Sequence, residues 1–244
     1  MNLIIDVGNT NVKLAVFHKN TIIEKQTVTI SNLIEAIGEI LANFPKIDRS
    51  IISSVGGLNP SDLLEIKDLL NNILILDHSV NLPFKNTYKT PKTLGVDRMA
   101  LVSASVKNFA NRNVLIIDAG TCITYDFIND KNEYLGGAIS PGIRLRYQVL
   151  NDLTANLPLL DTKEPLSIIG NSTEMSIHSG VINGVVKEID GIISDYDSIY
   201  KDLTVIFTGG DANFLSKQLK SSIFANSNFL LEGLNSILDY NLTR

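Results

Sequence analysis

Aspartate, glycine, asparagine, threonine and lysine fall together in Asp6-Val7-Gly8-Asn9-Thr10-Asn11-Val12-Lys13, between two short apolar runs. A tight turn here would free backbone N–H groups, which bind phosphate oxygens, while the hydroxyl and amides add donors and the carboxylate can hold Mg²⁺ through water. The same residue types also serve a plain hairpin turn, for which Gly, Asn and Thr have favourable dihedrals. A second copy strengthens the chemical reading: Leu115-Ile116-Ile117-Asp118-Ala119-Gly120-Thr121 echoes Leu3-Ile4-Ile5-Asp6-Val7-Gly8-Asn9-Thr10. Two such turns facing each other would hold a triphosphate from both sides.

Gly95-Val96-Asp97-Arg98 is the second group. It follows a loop rich in threonine and proline and opens a helical run, so free N–H groups, a cation and a carboxylate meet at one helix end. A carboxylate in such a place is able to accept a proton, and a guanidinium to grip an anion through two hydrogen bonds. The alternative is an exposed ion pair of little energetic value. Gly136-Gly137 and Pro141-Gly142 read as close-packed turns. Thr208-Gly209-Gly210-Asp211 offers glycine backbone against which an adenine ring can lie.

Positioning these groups requires strands and helices in alternation. Residues 2–7, 11–18 and 21–30 read as strands, the first two as a hairpin. Ile30, Leu33, Ile34, Ile37, Ile40, Leu41 and Phe44 keep helical spacing, with Ser31 or Asn32 as N-cap. A strand over 50–55, a helix from Pro60, a strand over 73–76, a loop over 81–94 and a helix from Gly95 to Phe109 complete the first half. The second half predicts strands near 113–119, 123–129 and 133–139 and a helix from Pro141, whose Arg144 and Arg146 read as a solvated face, with phosphate or dimer contacts as the alternative. A helix over 173–200, a strand over 203–207 and helices over 211–220 and 227–240 follow. The class is α/β, with a βββαβαβ order and a division into residues 1–111 and 112–244.

The chain has 244 residues, 44% hydrophobic and 19% charged, enough for a self-sufficient core. A net charge of −5 without basic runs argues against a nucleic-acid partner. Cys122 is the sole cysteine, so neither an intrachain disulfide nor a cysteine-built zinc site is expected. His18, His78 and His178 show no metal-ligand spacing. Leu3-Ile4-Ile5 is broken by Asp6 and lacks a charged leader, and no run reaches the ~20 apolar residues of a membrane helix. A cytoplasmic protein is expected.

The paired strand-Asp-x-Gly-turn-strand units resemble the phosphate loops of the actin, Hsp70 and sugar kinase superfamily. Within it, Asp6-x-Gly-Asn-Thr with Lys13, Gly95-Val96-Asp97-Arg98, Asp118-Ala-Gly-Thr with Thr124 and Asp126, Gly136 to Gly142, Asn171-Ser172-Thr173 with Ser179-Gly180, and Thr208 to Ala212 are similar in order to the type III pantothenate kinases. That resemblance implies an actin-like ATPase fold of two ribonuclease H-like domains with the active site in the cleft between them. It implies transfer of the ATP γ-phosphate to the primary hydroxyl of pantothenate, giving 4'-phosphopantothenate for coenzyme A. By the same resemblance Asp6, Val7, Gly8, Asn9, Thr10, Asn11, Val12, Lys13 and Thr121 contact ATP with Mg²⁺. Asp118 ligates a monovalent cation, K⁺ or NH₄⁺. Tyr88, Gly95, Val96, Asp97, Arg98 and Thr173 contact pantothenate, with Asp97 the proton acceptor, and the active species is a homodimer. Gly170-Asn171-Ser172 departs from the family's usual Gly-Lys-Asn before Thr173. A different small-molecule kinase of the superfamily would keep the two Asp turns without needing residues 95–98. A nucleotide-binding accessory protein would not need Asp97.

Overall fold

The computed structural model describes residues 1–55 and 58–242. In chain order the elements are β1 (Asn2–Val7), β2 (Val12–His18), β3 (Thr21–Val28), α1 (Leu33–Asn43), β4 (Arg49–Ser54), α2 (Pro60–Leu69), β5 (Ile73–Ile75), β6 (Lys85–Asn86) and α3 (Val96–Asn108). There follow β7 (Val114–Ala119), β8 (Cys122–Ile128), β9 (Glu133–Pro141), α4 (Ile143–Asp152), α5 (Thr173–Ile199), β10 (Thr204–Thr208), α6 (Ala212–Leu215), β11 (Phe224–Ala225) and α7 (Phe229–Leu242). The chain forms two compact units, Met1–Ala110 together with the segment from Asn228 onward, and Asn111–Ser227.

In the first unit the sheet order is β3-β2-β1-β4-β5. β1 pairs antiparallel with β2 and parallel with β4. Every residue of β1 is buried, as expected for a central strand covered on both faces. Leu3, Ile5, Val7, Leu14 and Ile52 pack under Leu33, Ile37 and Ile40 of α1 and Ile66 of α2; each such side chain contributes about 1.5–3 kcal/mol. Asn59 caps α2, its side chain accepting the Asp62 N–H at 3.0 Å, with Pro60 at the first helical position. The opposite face carries α3 and α7, with α7 against β1 and β4.

The last helix therefore belongs by packing to the first unit, although it follows the second in sequence. Phe229, Leu231, Leu234, Ile237 and Leu238 are buried. A buried polar clasp adds to them: Asn2 Nδ2 donates to Asn235 Oδ1 (2.8 Å) and Asp239 Oδ1 (3.0 Å), and Asn235 Nδ2 donates to the Lys19 carbonyl (3.0 Å). Buried amides so paired avoid the penalty of an unsatisfied group.

The second unit repeats the arrangement, its strands running β9-β8-β7-β10-β11. Leu115, Ile117, Ile123, Tyr125 and Phe127 pack against Ile177, Val181, Val185 and Ile189, one stripe of α5 at intervals of four. Two boundaries differ from expectation. β9 runs through Pro141 and α4 begins only at Ile143, because Pro141 pairs with Cys122 and the Gly142 N–H is held by the Thr121 carbonyl at 3.0 Å. After β10, α6 is a single turn where a helix over 211–220 is predicted. The Asp190 carboxylate draws away the N–H groups of Lys220 and Ser221 (3.1 and 3.2 Å) and the Ser221 hydroxyl (2.9 Å), and the chain turns.

Candidate active site

Asp6 stands near the end of β1, directly beside Lys13 on β2 and Ser53 on β4. Residues opposed in register point to the same face of a sheet. Ser53, almost fully buried, donates its hydroxyl to Asp6 Oδ1 at 2.9 Å. Burial pushes the Asp6 carboxyl above its ordinary range; the Lys13 charge and the Ser53 hydrogen bond pull it back, and the Asp97 charge adds to the rise. Asp97, 91 positions away in sequence, thus contributes to the charge felt by Asp6. The turn is closed by the Gly8 N–H on the Asn11 carbonyl (3.1 Å), leaving Asn9, Thr10 and Asn11 exposed.

The second motif is built at the start of α3. Gly95 is the N-cap, and Asp97 folds back so that Oδ1 accepts the Arg98 N–H at 2.8 Å. A Cβ on residue 95 would lie 2.3 Å from that oxygen, so only glycine admits this carboxylate position. Arg98, 5% exposed, holds its guanidinium over the Tyr88 ring, 5.8 Å from the centroid, within the range of a cation–π contact. His78 Nε2 lies 2.9 Å from the Leu94 carbonyl and steadies the approach to this helix. Asp6 to Lys13, Tyr88 and Gly95 to Arg98 thus all lie in the first unit.

In the second unit Asp118, half-buried at the end of β7, is flanked in register by Thr124 on β8 and Thr208 on β10. The Thr124 hydroxyl is buried and, among the described residues, makes no hydrogen bond. Gly209 has φ +100°, and a Cβ there would lie 2.4 Å from Asp118 Oδ1 and 2.3 Å from the Ala119 carbonyl. Sterics and backbone conformation both demand glycine. The Asp211 N–H reaches the Ala119 carbonyl at 2.9 Å. Turns 118–121, 141–142 and 208–211 therefore converge on the end of β7. Thr121 and Cys122 are exposed there, whereas Asp126 is fully buried and accepts the Tyr134 hydroxyl at 2.7 Å.

Thr173 opens α5 behind its N-cap Ser172, whose hydroxyl accepts the Met175 N–H at 3.2 Å. It lines a cavity of about 930 Å³ floored by Leu145, Val149, Leu150, Ile177 and Val181 and edged by Pro141, Arg146 and Asn171.

Residues 2–195 match the family model of type III pantothenate kinase. A type III pantothenate kinase from Christiangramia forsetii is 54% identical over 244 residues, covering 100% of both chains. This chain belongs to the type III pantothenate kinase family. Two solved structures share the fold: a Baf family transcriptional activator from Campylobacter jejuni (TM-score 0.66, 24% identity, 99% of this chain and 100% of that one) and a glucokinase from an Antarctic psychrotroph (TM-score 0.54, 12% identity, 98% of each). The architecture is that of the actin-like ATPases and sugar kinases. As a pantothenate kinase the chain uses ATP to phosphorylate pantothenate in coenzyme A biosynthesis.

Two partnerships of this pantothenate kinase, at Ser53 and Arg146, lay outside the sequence motifs, and one motif residue, Thr124, gained its setting only from the fold. Ser53 positions Asp6 from 47 residues away; its one sequence signal is its place at the end of a buried strand. The unpartnered Thr124 hydroxyl shows itself only once β8 is registered against β7. Arg146, read as a solvated helix residue, instead donates to the Pro141 carbonyl (2.9 Å) and the Ser140 hydroxyl (3.0 Å) and pairs with Glu188. Burial raises the Glu188 pKa, but bonds from Arg146, Ser140 and Tyr125 outweigh it and hold the carboxyl below its ordinary value. This ion pair braces the turn at 141–142.

Proposed function

We propose that Asp97 accepts the proton of the pantothenate primary hydroxyl while residues 6–13 hold the phosphates of ATP. The observation that supports this reading is that Asp6, Lys13 and Ser53 stand side by side in the unit that also holds Asp97, with Arg98 and Tyr88 on that residue's helix start and its preceding loop. Phosphoryl transfer depends mainly on positioning and on neutralising charge spread over the phosphoryl oxygens. The exposed turn Asn9-Thr10-Asn11 supplies N–H, amide and hydroxyl donors, and Lys13 a cation. Asp6 is suited to bind Mg²⁺, which when present neutralises phosphate charge. Arg98, its guanidinium held over the Tyr88 ring, is suited to the pantothenate carboxylate, and the backbone at Gly95 and Val96 and the hydroxyl of Thr173 serve as further acceptor contacts.

Asp118 holds the monovalent cation in this proposal, and Thr121 adds an ATP contact. The buried Thr124 hydroxyl opposite Asp118 favours the cation, since an oxygen without a protein partner beside a half-buried carboxylate suits a weakly hydrated K⁺ or NH₄⁺. ADP release from the purified protein with Mg-ATP in K⁺ and in Na⁺ buffers tests both points. Turnover is expected to require pantothenate and to be several-fold faster in K⁺. Equal rates in the two salts would remove the cation assignment, and pantothenate-independent ADP release would remove the acceptor.

The enzyme acts as a homodimer in this reading. Leu153, Leu159, Leu166, Ile168 and Ile169 are each between 62% and 86% exposed along one stretch of the second unit, an apolar concentration typical of association surfaces. Sedimentation at micromolar concentration should return the mass of two chains, and Leu166→Asp with Ile168→Asp should return one; a monomeric wild type would refute it. The exposed Cys122 thiol suits the reducing cytoplasm.

A further inference from the structure

Among the buried polar groups that the reaction as described does not use are a phenol and an imidazole in contact. Tyr147 on α4 and His178 on α5, 2% and 5% exposed, share a hydrogen bond of 2.8 Å between the phenol oxygen and Nδ1. Nε2 of the same ring lies 3.5 Å from Glu174 Oε1 one turn back along the helix, which places the ring proton on Nε2 and leaves Nδ1 to accept the phenol proton. The bond thus links α4 to the first turns of α5.

The connection between the two helices, residues 153–172, lacks regular secondary structure among the described residues. Side chains of the two helices hold it: Asn151 donates to the Leu157 carbonyl at 2.7 Å, Ser179 to Ile168 at 2.6 Å and Ser176 to Gly170 at 3.2 Å. It ends in Gly170-Asn171-Ser172, which lines the same cavity as Thr173, the first residue of α5. Leu145, Val149 and Leu150 of α4 and Ile177 and Val181 of α5 line that cavity too, so whatever fixes α4 against α5 fixes the walls facing Thr173.

We infer that Tyr147 and His178 are positioning residues for pantothenate, pinning α4 against α5 so that Thr173 and its neighbours keep a binding geometry. The inference rests on the assignment of Thr173 to pantothenate above. Neither residue touches substrate; both act through the wall they hold. Loss of the phenol hydroxyl leaves His178 Nδ1 unsatisfied in a buried place, enough to loosen α4 against α5 locally while the apolar packing of the Tyr147 ring keeps the helices together.

Steady-state kinetics on the full-length enzyme decide it. Tyr147→Phe should raise KM for pantothenate about tenfold, with KM for ATP and kcat within about twofold of wild type. His178→Gln, which still offers an acceptor to Tyr147, should stay close to wild type, and His178→Leu should behave like Tyr147→Phe. Equal rises in both KM values, or no rescue by glutamine, would show a merely structural role and overturn the inference. Thr173→Ala separates the two claims. If it raises KM for pantothenate while Tyr147→Phe does not, only the positioning role falls. If it changes nothing, the Thr173 assignment falls and takes this inference with it.

Discussion

Asp97→Asn should lower kcat by about 10²–10⁴-fold, the range for removing a positioned general base, while KM for ATP stays near wild type. The asparagine is nearly isosteric and its amide oxygen can still accept the Arg98 N–H that Asp97 Oδ1 holds at 2.8 Å, so the helix start and Gly95 cap should survive. The change removes the negative charge that receives the hydroxyl proton. It also removes a repulsive neighbour of Asp6, whose carboxyl the Asp97 charge helps to hold high, so ATP binding should not weaken. ADP release under saturating ATP and pantothenate measures the loss. A variant retaining a tenth or more of wild-type kcat would show that the proton leaves by another route.

Asp6→Asn should abolish turnover and yet stabilise the ligand-free protein at neutral pH. The Asp6 pKa is raised above its ordinary 3.8, first by burial and then by Asp97, with Lys13 and Ser53 opposing. A group whose folded pKa is raised contributes full stability below its unfolded pKa and loses it as pH climbs through the folded value. At neutral pH the ionised carboxylate therefore costs stability, a cost accepted where charge is needed for function. Asparagine keeps the Ser53 hydrogen bond and removes the charge. The melting temperature should rise at pH 7, by about 2–4 °C for each kcal/mol relieved, and the gain should vanish as the pH falls below about 4. The kcat loss should be at least about 10²-fold, as for other charge-stabilising groups. A lower melting temperature at pH 7 would mean that the Lys13 attraction outweighs burial.

What was legible in the sequence is local. The hairpin around Gly8 to Asn11 shows in period-two runs interrupted by turn residues, the Pro60 helix start in its Asn59 cap, and the α5 stripe in spacings of three and four, since each depends on residues a few positions apart. The echo between Asp6 and Asp118 was legible for the same reason, and it announced two sheets of one order before any pairing was known. The motifs at 95–98 and 208–211 could be named as chemistry, but not joined to anything.

Tertiary structure decided the partners. Ser53 meets Asp6 because β4 crosses over α1 to lie parallel to β1, and Thr124 faces Asp118 because of the β7–β8 register. A register is set by burying whole faces of a sheet rather than by any one residue's neighbours. The last helix joins the first unit because its apolar face and the Asn235 amide find their partners on β1, and nothing in residues 229–242 alone names that strand. Arg146 and the Tyr147–His178 pair likewise sit in sequence contexts that suit a solvated or apolar helix face. Their roles follow from what α5 brings against them, since the worth of a buried polar group depends on whether long-range packing supplies its partner.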